Sequence, residues 1–156
     1  MQLTGIIEIS IVKDVKDIPF HLLLLADPSR SNVEKYIPES DVYKAELNGA
    51  IVGCYVLCKL DKDTVEIKNI AVMEQLQGQG LGTRLLLDAI ERSKNSAYKK
   101  IIIGTGNSSL GQLYLYQKVG FRITQIIPDF FVKNYENEIW ENGLPCKDMI
   151  VLTKEI

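Results

Sequence analysis

The chain has 156 residues, of which 46% are hydrophobic and 24% are charged, and its formal net charge at pH 7 is −2. This length and composition predict one folded domain over residues 1–156, with a sizeable hydrophobic core. The acidic balance argues against nucleic acid as a partner, and no apolar run reaches the roughly 20 residues that a membrane span needs.

The cysteines and the N-terminal segment indicate the cellular compartment of the protein. Cys54, Cys58 and Cys146 are odd in number, which argues against a disulfide framework, and with the single His21 they do not form a usual zinc set. The opening MQLTGIIEIS lacks the charged segment, apolar segment and small-residue cleavage site of a secretory signal. We therefore expect reduced thiols, no metal and a cytoplasmic location.

The first half of the chain predicts strands on either side of two short helices. Alternating apolar and polar residues indicate a strand, and Pro38 ends the second helix because proline cannot continue one. Asn48-Gly49 between two apolar runs is the strongest short signal for a β-hairpin. The expected elements are a strand at 5–13, helices at 18–29 and 29–38, two strands within 42–60, a turn at 61–63 and a strand at 65–72.

The second half predicts two longer helices and three further strands. The stretch GNSS at 106–109 offers cap residues for the second of these helices, which Gly120 closes. The expected elements are a helix that follows the glycine-rich stretch and ends near Lys94, a strand at 99–105, a helix at 110–118, and strands at 121–127 and 148–154.

The connection at 128–147 contains Pro128, Asn142-Gly143 and Pro145. A connection of that length in a compact domain is typical of a functional or variable segment. The whole order, β-α-α-β-β-β-α-β-α-β-β, predicts a mixed sheet with helices on its faces, which is an α/β or α+β domain.

Gly78, Gly80 and Gly82 stand at alternate positions in front of a leucine-rich helix, within EQLQGQGLGTRLLLDAI. Each glycine costs roughly 1 kcal/mol relative to alanine in a helix. A helix N-terminus offers unpaired N–H groups and a partial positive charge, and glycine lets these donors approach phosphate oxygens closely. The N–H groups from Gln77 to Thr83 therefore predict a cradle for a pyrophosphate.

Two common phosphate motifs do not fit this stretch. The Walker pattern G-x-x-x-x-G-K-[ST] is absent. The dinucleotide fingerprint G-x-G-x-x-G fails because its third glycine would fall at Thr83, and the acidic residue expected about 20 positions further on is missing. The pattern that fits is Q-x-x-G-x-G, from Gln77 to Gly82.

Four features in this order resemble the GNAT superfamily of N-acetyltransferases. They are a strand ending in IAV at 70–72, Q-x-x-G-x-G at 77–82, Asn107 just after the next strand, and Y-x-x-x-G-F at 116–121. The resemblance covers about residues 42–127, and GTGNSS…QLYLYQKVGF is similar to a bacterial subgroup of small acetyltransferases. It implies a mixed, mostly antiparallel seven-stranded sheet with about four helices on its faces, splayed between the fourth and fifth strands.

The resemblance implies acetyl-CoA as co-substrate and no metal. In the family the pantetheine arm pairs with the main chain at the end of the fourth strand, and a backbone N–H there stabilises the oxyanion. Asn107 would contact the pantetheine amides, although an ordinary helix cap is its alternative role. The implied cofactor-binding residues are Ile70, Ala71, Val72, Gln77, Gly78, Gln79, Gly80, Leu81, Gly82, Thr83 and Asn107.

Transfer of an acyl group from a thioester to an amine needs a base for the amine and an acid for the leaving thiolate. Glu66, in EIKNIAV, matches a glutamate that serves as base in some family members; alternatively, Glu66 and Lys68 lie on a solvated strand face. Tyr116 matches the usual acid of the family. Tyr114 stays an alternative because Asn107 precedes it by seven residues, the spacing seen in many members, whereas Tyr116 follows Asn107 by nine.

The resemblance also places the acceptor between the first two helices and the loop joining the last two strands. Acidic residues there could pair with an ammonium group, and aromatic residues could cover it; alternatively, these segments are solvated helix faces and a patch for a dimer partner. The candidate residues are Asp27, Arg30, Glu34, Tyr36, Phe130, Phe131, Tyr135, Glu138 and Trp140.

The sequence thus predicts an N-acetyltransferase that moves an acetyl group to a primary amine of a small molecule or peptide, by direct attack in a ternary complex. Two alternatives stay open. One is a CoA-binding regulatory or assembly module without turnover, and the other is a dinucleotide-binding oxidoreductase, which the Thr83 mismatch disfavours. Because dimers are common in the family, the resemblance also suggests a homodimer.

Overall fold

The computed structural model describes residues 2–156. Its main feature is a seven-stranded sheet with helices on both faces. The strands are β1 (Ile7–Ile11), β2 (Ser40–Leu47), β3 (Ala50–Lys59), β4 (Thr64–Val72), β5 (Lys100–Gly106), β6 (Arg122–Ile127), β7 (Ile139–Glu141), β8 (Leu144–Cys146) and β9 (Met149–Glu155). The α-helices are α1 (Phe20–Ala26), α2 (Arg30–Tyr36), α3 (Leu81–Asn95), α4 (Leu110–Lys118) and α5 (Phe130–Asn134). Short 3-10 helices occupy Val15–Asp17, Ile37–Glu39 and Glu74–Leu76.

The sheet is mostly antiparallel and divides between β4 and β5. Its strand order is β1-β2-β3-β4-β5-β9-β6, and among the described strands only β4 and β5 pair in parallel. That parallel pairing runs from Thr64–Lys100 to Ile67–Ile103 and then stops, although both strands continue. The expected seven-stranded sheet, splayed between its fourth and fifth strands, is therefore confirmed.

Helices cover the two faces of the sheet. Helix α3 packs its apolar side onto β3 and β4, while α1 and α2 cover the opposite face of the same strands. The apolar residues that α3 turns to the sheet are all buried, namely Leu81, Leu85, Leu86, Ala89 and Ile90. None of the helices in residues 2–156 has both the length and the apolar character required to cross a membrane.

A bulge in β4 determines which side chains face each helical layer. The register against β3 shifts between Val56 and Leu57, so that Lys68 is an extra residue in β4. Before it, Val65 and Ile67 belong to the core under α3. Side chains alternate along a strand, so Glu66 faces the α1–α2 layer, as do residues 69 and 71 after the bulge.

Two expectations about the second half need correction. The predicted order of elements lacks α5 and the hairpin of β7 and β8, all of which lie within the connection 128–147. Asn142 and Gly143 have φ of 53° and 75°, as in the other Asn-Gly turn, so the same local chemistry forms both hairpins.

The cap expected for α4 at GNSS is correct in position, but its expected side-chain hydrogen bond is absent. Ser109 is the N-cap residue, but no backbone N–H donates to its side chain. Its hydroxyl instead donates to Glu141 at 3.1 Å. The expected closure by Gly120 agrees with the structure, because this glycine follows α4 with a φ of 106°.

Candidate functional site

The loop before α3 exposes main chain where side chains would normally stand. Gly78 and Gly80 have φ of 77° and 88°, a left-handed conformation that favours glycine. A Cβ atom at either position would meet no protein atom within 4 Å, so the loop is open on that side. Gly80 is the N-cap of α3 and supplies no side-chain cap, so the first N–H groups of the helix lack an intrahelical partner.

Gln77 positions this loop. Its side-chain amide donates to the carbonyl of Val72 at 3.1 Å, and its backbone N–H donates to Glu74 at 3.3 Å. The N–H of Gln77 is thus used within the protein, and Gln77 fixes the loop against the end of β4. Gln79 accepts a hydrogen bond from the N–H of Leu3 at 2.6 Å, which ties the loop to the N-terminal segment.

A Cβ at Gly82 would be in van der Waals contact with α4. A Cβ there would lie 3.4 Å from Leu115 in α4. The first turn of α3 therefore packs closely against α4, and Thr83 follows in the same turn, half-buried. The two helices meet beside the opening of the sheet.

The end of β4 has one free edge. Beyond Ile67 it pairs with β3 but not with β5. Alternate N–H and C=O groups of residues 68–72 therefore face the opening. Ile70 and Val72 turn their side chains to the α3 core, and Ala71 turns to the α1–α2 layer. These three residues stand where the sequence placed the pantetheine arm.

Helix α4 buries Tyr116 and exposes Tyr114. Tyr116 is 4% exposed and packs beside Phe121, with ring centroids 6.3 Å apart. Tyr114 is 66% exposed, and its ring lies under the ammonium of Lys118. Tyr116 therefore belongs to the core that includes α3, and Tyr114 points to solvent.

Asn107 clamps the segment that follows β8. Its side-chain oxygen accepts from the N–H of Lys147 at 2.8 Å and of Asp148 at 3.0 Å, and its amide donates to the carbonyl of Pro145 at 3.1 Å. One N–H of this amide stays without a partner in residues 2–156. The backbone N–H of Asn107 donates to the carbonyl of Asp148 at 3.0 Å, so the contact with pantetheine, which stays a prediction, must use the unpaired side-chain N–H or the backbone carbonyl.

The β7–β8 hairpin brings Glu141 to the first turn of α4. Besides the bond from Ser109 to Glu141, Asn142 donates to the carbonyl of Ser108 at 2.8 Å. Burial raises the pKa of the Tyr116 hydroxyl well above its ordinary value, and the nearby carboxylate of Glu141 raises it further. Tyr116 is therefore protonated at neutral pH and can act as a proton donor.

Glu66 lies on the α1–α2 face, at a level where β4 still pairs with both neighbours. Its carboxylate is 3.6 Å from the ammonium of Lys68, and both side chains are partly exposed. Lys68 also lies 5.8 Å from the centre of the Tyr36 ring. Glu66 is thus neither buried nor fully solvated, and its role as base stays a prediction.

A hydrogen-bonded group on the α1–α2 face, here called the acceptor-side cluster, consists of Asp27, Tyr36, Asn69 and Tyr135. Tyr135 donates to Asp27 at 2.9 Å, across 108 residues of sequence. Asn69 donates to the hydroxyl of Tyr36 at 2.9 Å. Burial raises the pKa of Tyr36 to about 12 and that of Tyr135 well above its ordinary value, and the Asp27 carboxylate adds to both shifts.

The remaining acceptor candidates divide between this cluster and the surface. Phe131 packs against Tyr135 and Phe130, with ring centroids at 5.5 and 5.2 Å. Arg30 and Glu34 form an exposed ion pair at 2.8 Å. Glu138 and Trp140 are exposed. The structure therefore groups Asp27, Tyr36, Tyr135 and the two phenylalanines and leaves the others outside.

Sequence reasoning missed two polar residues of this region, Asn69 and Glu141, and named Ser109 only as a candidate cap residue. Asn69 lies within the IAV-ended strand and is 5% exposed, which is unusual for asparagine. Nothing local marks Glu141, because a hairpin of two three-residue strands is too short to be read from alternation.

The donor set of the site suits a nucleotide-containing thioester better than a metal. No group of three or more His, Cys, Asp or Glu side chains in residues 2–156 is arranged to hold a metal ion. The glycine loop leaves space that a Cβ would otherwise take, and Gln77 ties this loop to the end of β4, where the strand has a free edge. The residues therefore fit a diphosphate with an extended arm that enters the opening of the sheet.

Comparison with known proteins agrees with this geometry. Residues 15–121 match the acetyltransferase (GNAT) family. A crystal structure of a GNAT family acetyltransferase from Elizabethkingia anophelis with acetyl-CoA bound is 55% identical, with a TM-score of 0.94 over 96% of this chain and 98% of that one. A Bacillus subtilis acetyltransferase in complex with CoA is 46% identical, with a TM-score of 0.92 over 97% and 99%. The uncharacterised N-acetyltransferase YvbK of Bacillus subtilis is 48% identical over 94% of each chain.

Proposed function

This chain belongs to the acetyltransferase (GNAT) family, and from that premise we propose that it moves an acetyl group from acetyl-CoA to a primary amine of a small molecule or peptide. It is an acetyltransferase, and acetyl-CoA is its co-substrate. We propose further that residues 1–156 form one N-acetyltransferase domain acting in the cytoplasm, with attack of the amine in a ternary complex and no covalent enzyme intermediate. Neither nucleic acid nor membrane is a partner in this proposal, and a homodimer is compatible with it.

The observation that carries the proposal is the opening between β4 and β5, with an open glycine loop tied to the end of β4 through Gln77. The diphosphate of the co-substrate would bind at Gly78 to Thr83, and its pantetheine arm would pair with Ile70 to Val72. Acetyl-CoA itself supplies the activated acyl group. Main-chain N–H groups at the free edge of β4 are preorganised dipoles that can stabilise charge developing on the thioester oxygen.

Tyr116 is the proposed acid. Its protonated hydroxyl would donate to the leaving sulfur as the C–S bond breaks. Because the pKa of a thiol, near 8.5, lies below the raised pKa of this tyrosine, the hydroxyl would act mainly by donating a hydrogen bond that stabilises the developing thiolate. Glu66 is the proposed base, acting directly or through water on the amine, whose neutral form is rare at pH 7 because a lysine-like pKa is about 10.4. The ammonium of Lys68 lies 3.6 Å from this carboxylate.

The alternative is a CoA-binding module without turnover. The structured insert that carries β7 and β8 favours it, because Trp140 at 58% exposure offers a contact surface outside the proposed acceptor site. The two functions differ in one measurable quantity, the release of CoA thiol in the presence of an amine.

We would measure thiol release with acetyl-CoA and a panel of primary amines, diamines, amino acids and peptides. The proposed function predicts amine-dependent turnover, with kcat lowered about 10²- to 10⁴-fold in Tyr116→Phe. Tyr114→Phe is the matched control, because it removes a hydroxyl from the same helix on the solvent face, and it should retain full activity. Binding of acetyl-CoA without turnover of any amine, with Tyr116→Phe equal to wild type, would favour the module instead.

A further inference from the structure

Asn69 is the most deeply buried polar side chain of the acceptor-side cluster. It is 5% exposed, and it follows the bulge in β4, beyond the last residue that pairs with β5. Its neighbour Ile70 turns to the α3 core, whereas Asn69 turns to the α1–α2 layer. A chain paired with the free edge of β4 would therefore have Asn69 beside it on the acceptor face.

The hydrogen bonds of Asn69 identify which of its atoms is unused. The amide nitrogen Nδ2 donates to the carbonyl of Leu23 and to the hydroxyl of Tyr36, both at 2.9 Å. A carbonyl oxygen only accepts, so the contact with Leu23 fixes the orientation of the amide. The remaining oxygen, Oδ1, is buried and has no hydrogen-bond partner in the described chain.

An unpaired buried carbonyl oxygen is costly, because folding strips it of water without replacing the lost bond. Such groups are rare in native proteins, and each calls for a donor or a functional reason. The charged groups near the Tyr36 hydroxyl, which Asn69 contacts, are the carboxylates of Asp27 and Glu66 and the ammonium of Lys68, 5.8 Å from the centre of the Tyr36 ring. Because a carbonyl oxygen only accepts, Oδ1 suits a ligand that brings an N–H donor.

Building on the proposed function, we propose that Asn69 positions the acceptor, its Oδ1 accepting an N–H of the primary amine that attacks the thioester. Attack places positive charge on that nitrogen, so the hydrogen bond becomes stronger in the transition state than in the bound substrate. Asn69 therefore acts mainly on kcat. The role requires at least two hydrogens on the amine, one for Oδ1 and one for the base.

The test is steady-state kinetics with an amine that the wild-type protein acetylates, comparing wild type with Asn69→Ala and Asn69→Ser. We expect kcat to fall about 10- to 100-fold in Asn69→Ala, with the KM for the amine and the Kd for acetyl-CoA each changed less than about threefold. Asn69→Ser keeps a short acceptor oxygen, so it should recover part of the lost kcat.

Ser93→Ala is the matched control for lost buried hydrogen bonding. Ser93 is 1% exposed in α3, and its hydroxyl donates to the carbonyl of Ala89 at 2.7 Å. This variant should lose stability without losing kcat. Thermal unfolding of each variant establishes that the kinetics refer to folded protein, and Asn69→Ser serves for the comparison with wild type if Asn69→Ala does not fold.

A kcat within twofold of wild type in Asn69→Ala, or an equal loss of kcat in Ser93→Ala, would overturn the role of Asn69 while the proposed function stands. A loss expressed only in the Kd for acetyl-CoA would overturn it too. A wild-type protein that releases no thiol with any amine would overturn the proposed function, and the role of Asn69 with it.

Discussion

The N-termini of α3 and α4 offer the same unpaired N–H groups, but the protein leaves one of them open and covers the other. Each helix leaves its first N–H groups without intrahelical partners and carries a partial positive charge at that end. In front of α3 stand Gly78 and Gly80, and a Cβ at either would meet open space. In front of α4 stand Ser108 and Ser109, both buried and covered by the β7–β8 hairpin.

The difference shows that a helix N-terminus can serve either to bind an external ligand or to anchor another segment of the same chain. At α4 the protein brings its own carboxylate, Glu141, and its own hairpin to the helix end, and this anchors the insert beside the opening of the sheet. At α3 the corresponding space is kept free of side chains, which suits an anion that comes from outside. The predictions below test each half of this contrast.

The largest effect is expected from removing the clamp beside α4. Asn107→Ala loses three hydrogen bonds between 2.8 and 3.1 Å, so the free energy of unfolding should fall by about 2–4 kcal/mol. Urea denaturation measures this loss. Asn134→Ala, which removes an exposed bond to the carbonyl of Phe130, should change stability by less than about 0.5 kcal/mol.

The same variant separates two roles of Asn107. If Asn107 only anchors the segment that follows β8, Asn107→Ala should be less stable than wild type, with little change in its affinity for acetyl-CoA. If Asn107→Ala keeps its stability and instead binds acetyl-CoA weakly, Asn107 contacts the pantetheine amides and the clamp is incidental.

The next effect contrasts glycines at the two helix starts. Gly111, in the first turn of α4, has no neighbour within 4 Å of a built Cβ and no left-handed φ. Gly111→Ala should therefore raise the free energy of unfolding by about 0.5–1 kcal/mol and leave acetyl-CoA binding unchanged. Gly80→Ala should lower both the free energy of unfolding and the affinity for acetyl-CoA, because Gly80 has a φ of 88°, a conformation that strains alanine. Equal losses of affinity for acetyl-CoA in Gly111→Ala and Gly80→Ala would contradict the claim that only the start of α3 binds the co-substrate.

A smaller effect is expected from the carboxylate at α4. Glu141→Gln removes negative charge from the helix N-terminus, so stability should fall by about 0.3–1 kcal/mol at low ionic strength. Added salt screens such interactions, and the difference from wild type should shrink as salt rises. A variant as stable as wild type in dilute buffer would show that the carboxylate does not stabilise this helix end.

The smallest effect concerns the ionisation of Tyr116. Burial and then Glu141 raise the pKa of this hydroxyl above the value of about 10 for an unfolded chain. Its contribution to stability is thus complete below pH 10 and is lost as pH rises towards the pKa in the folded protein. Wild type should lose stability more steeply above pH 10 than Tyr116→Phe, as followed by denaturation at pH 9–11. Parallel curves would contradict the raised pKa.

The features that could be predicted from the sequence are those determined by residues close together in the chain. The leucines of α3, the turn at Asn48-Gly49 and the order of the main elements follow from periodicity and turn chemistry within a few residues. The second Asn-Gly turn carries the same signal, but its strands of three residues offer too little alternation to identify a hairpin. The family resemblance then supplied the splay between β4 and β5, which periodicity does not contain.

The polar contacts of the site could not be predicted in the same way. Asn107 finds its partners 38 to 41 residues away, and Asn69 bonds to residues 46 and 33 positions earlier. Such partners depend on how separate elements pack together, and no local pattern encodes that packing. The same limit applies to Tyr116 and Tyr114, because helical spacing separates their faces but only the packed fold shows which face is buried.

Calorimetric titration of wild type and Gly80→Ala with acetyl-CoA and with S-acetylpantetheine, which lacks the diphosphate, tests the open end of α3 most directly. If main chain at Gly78 to Thr83 holds the diphosphate, Gly80→Ala should weaken binding of acetyl-CoA at least tenfold and leave binding of S-acetylpantetheine unchanged. An equal loss for both ligands, or none for either, would contradict that assignment.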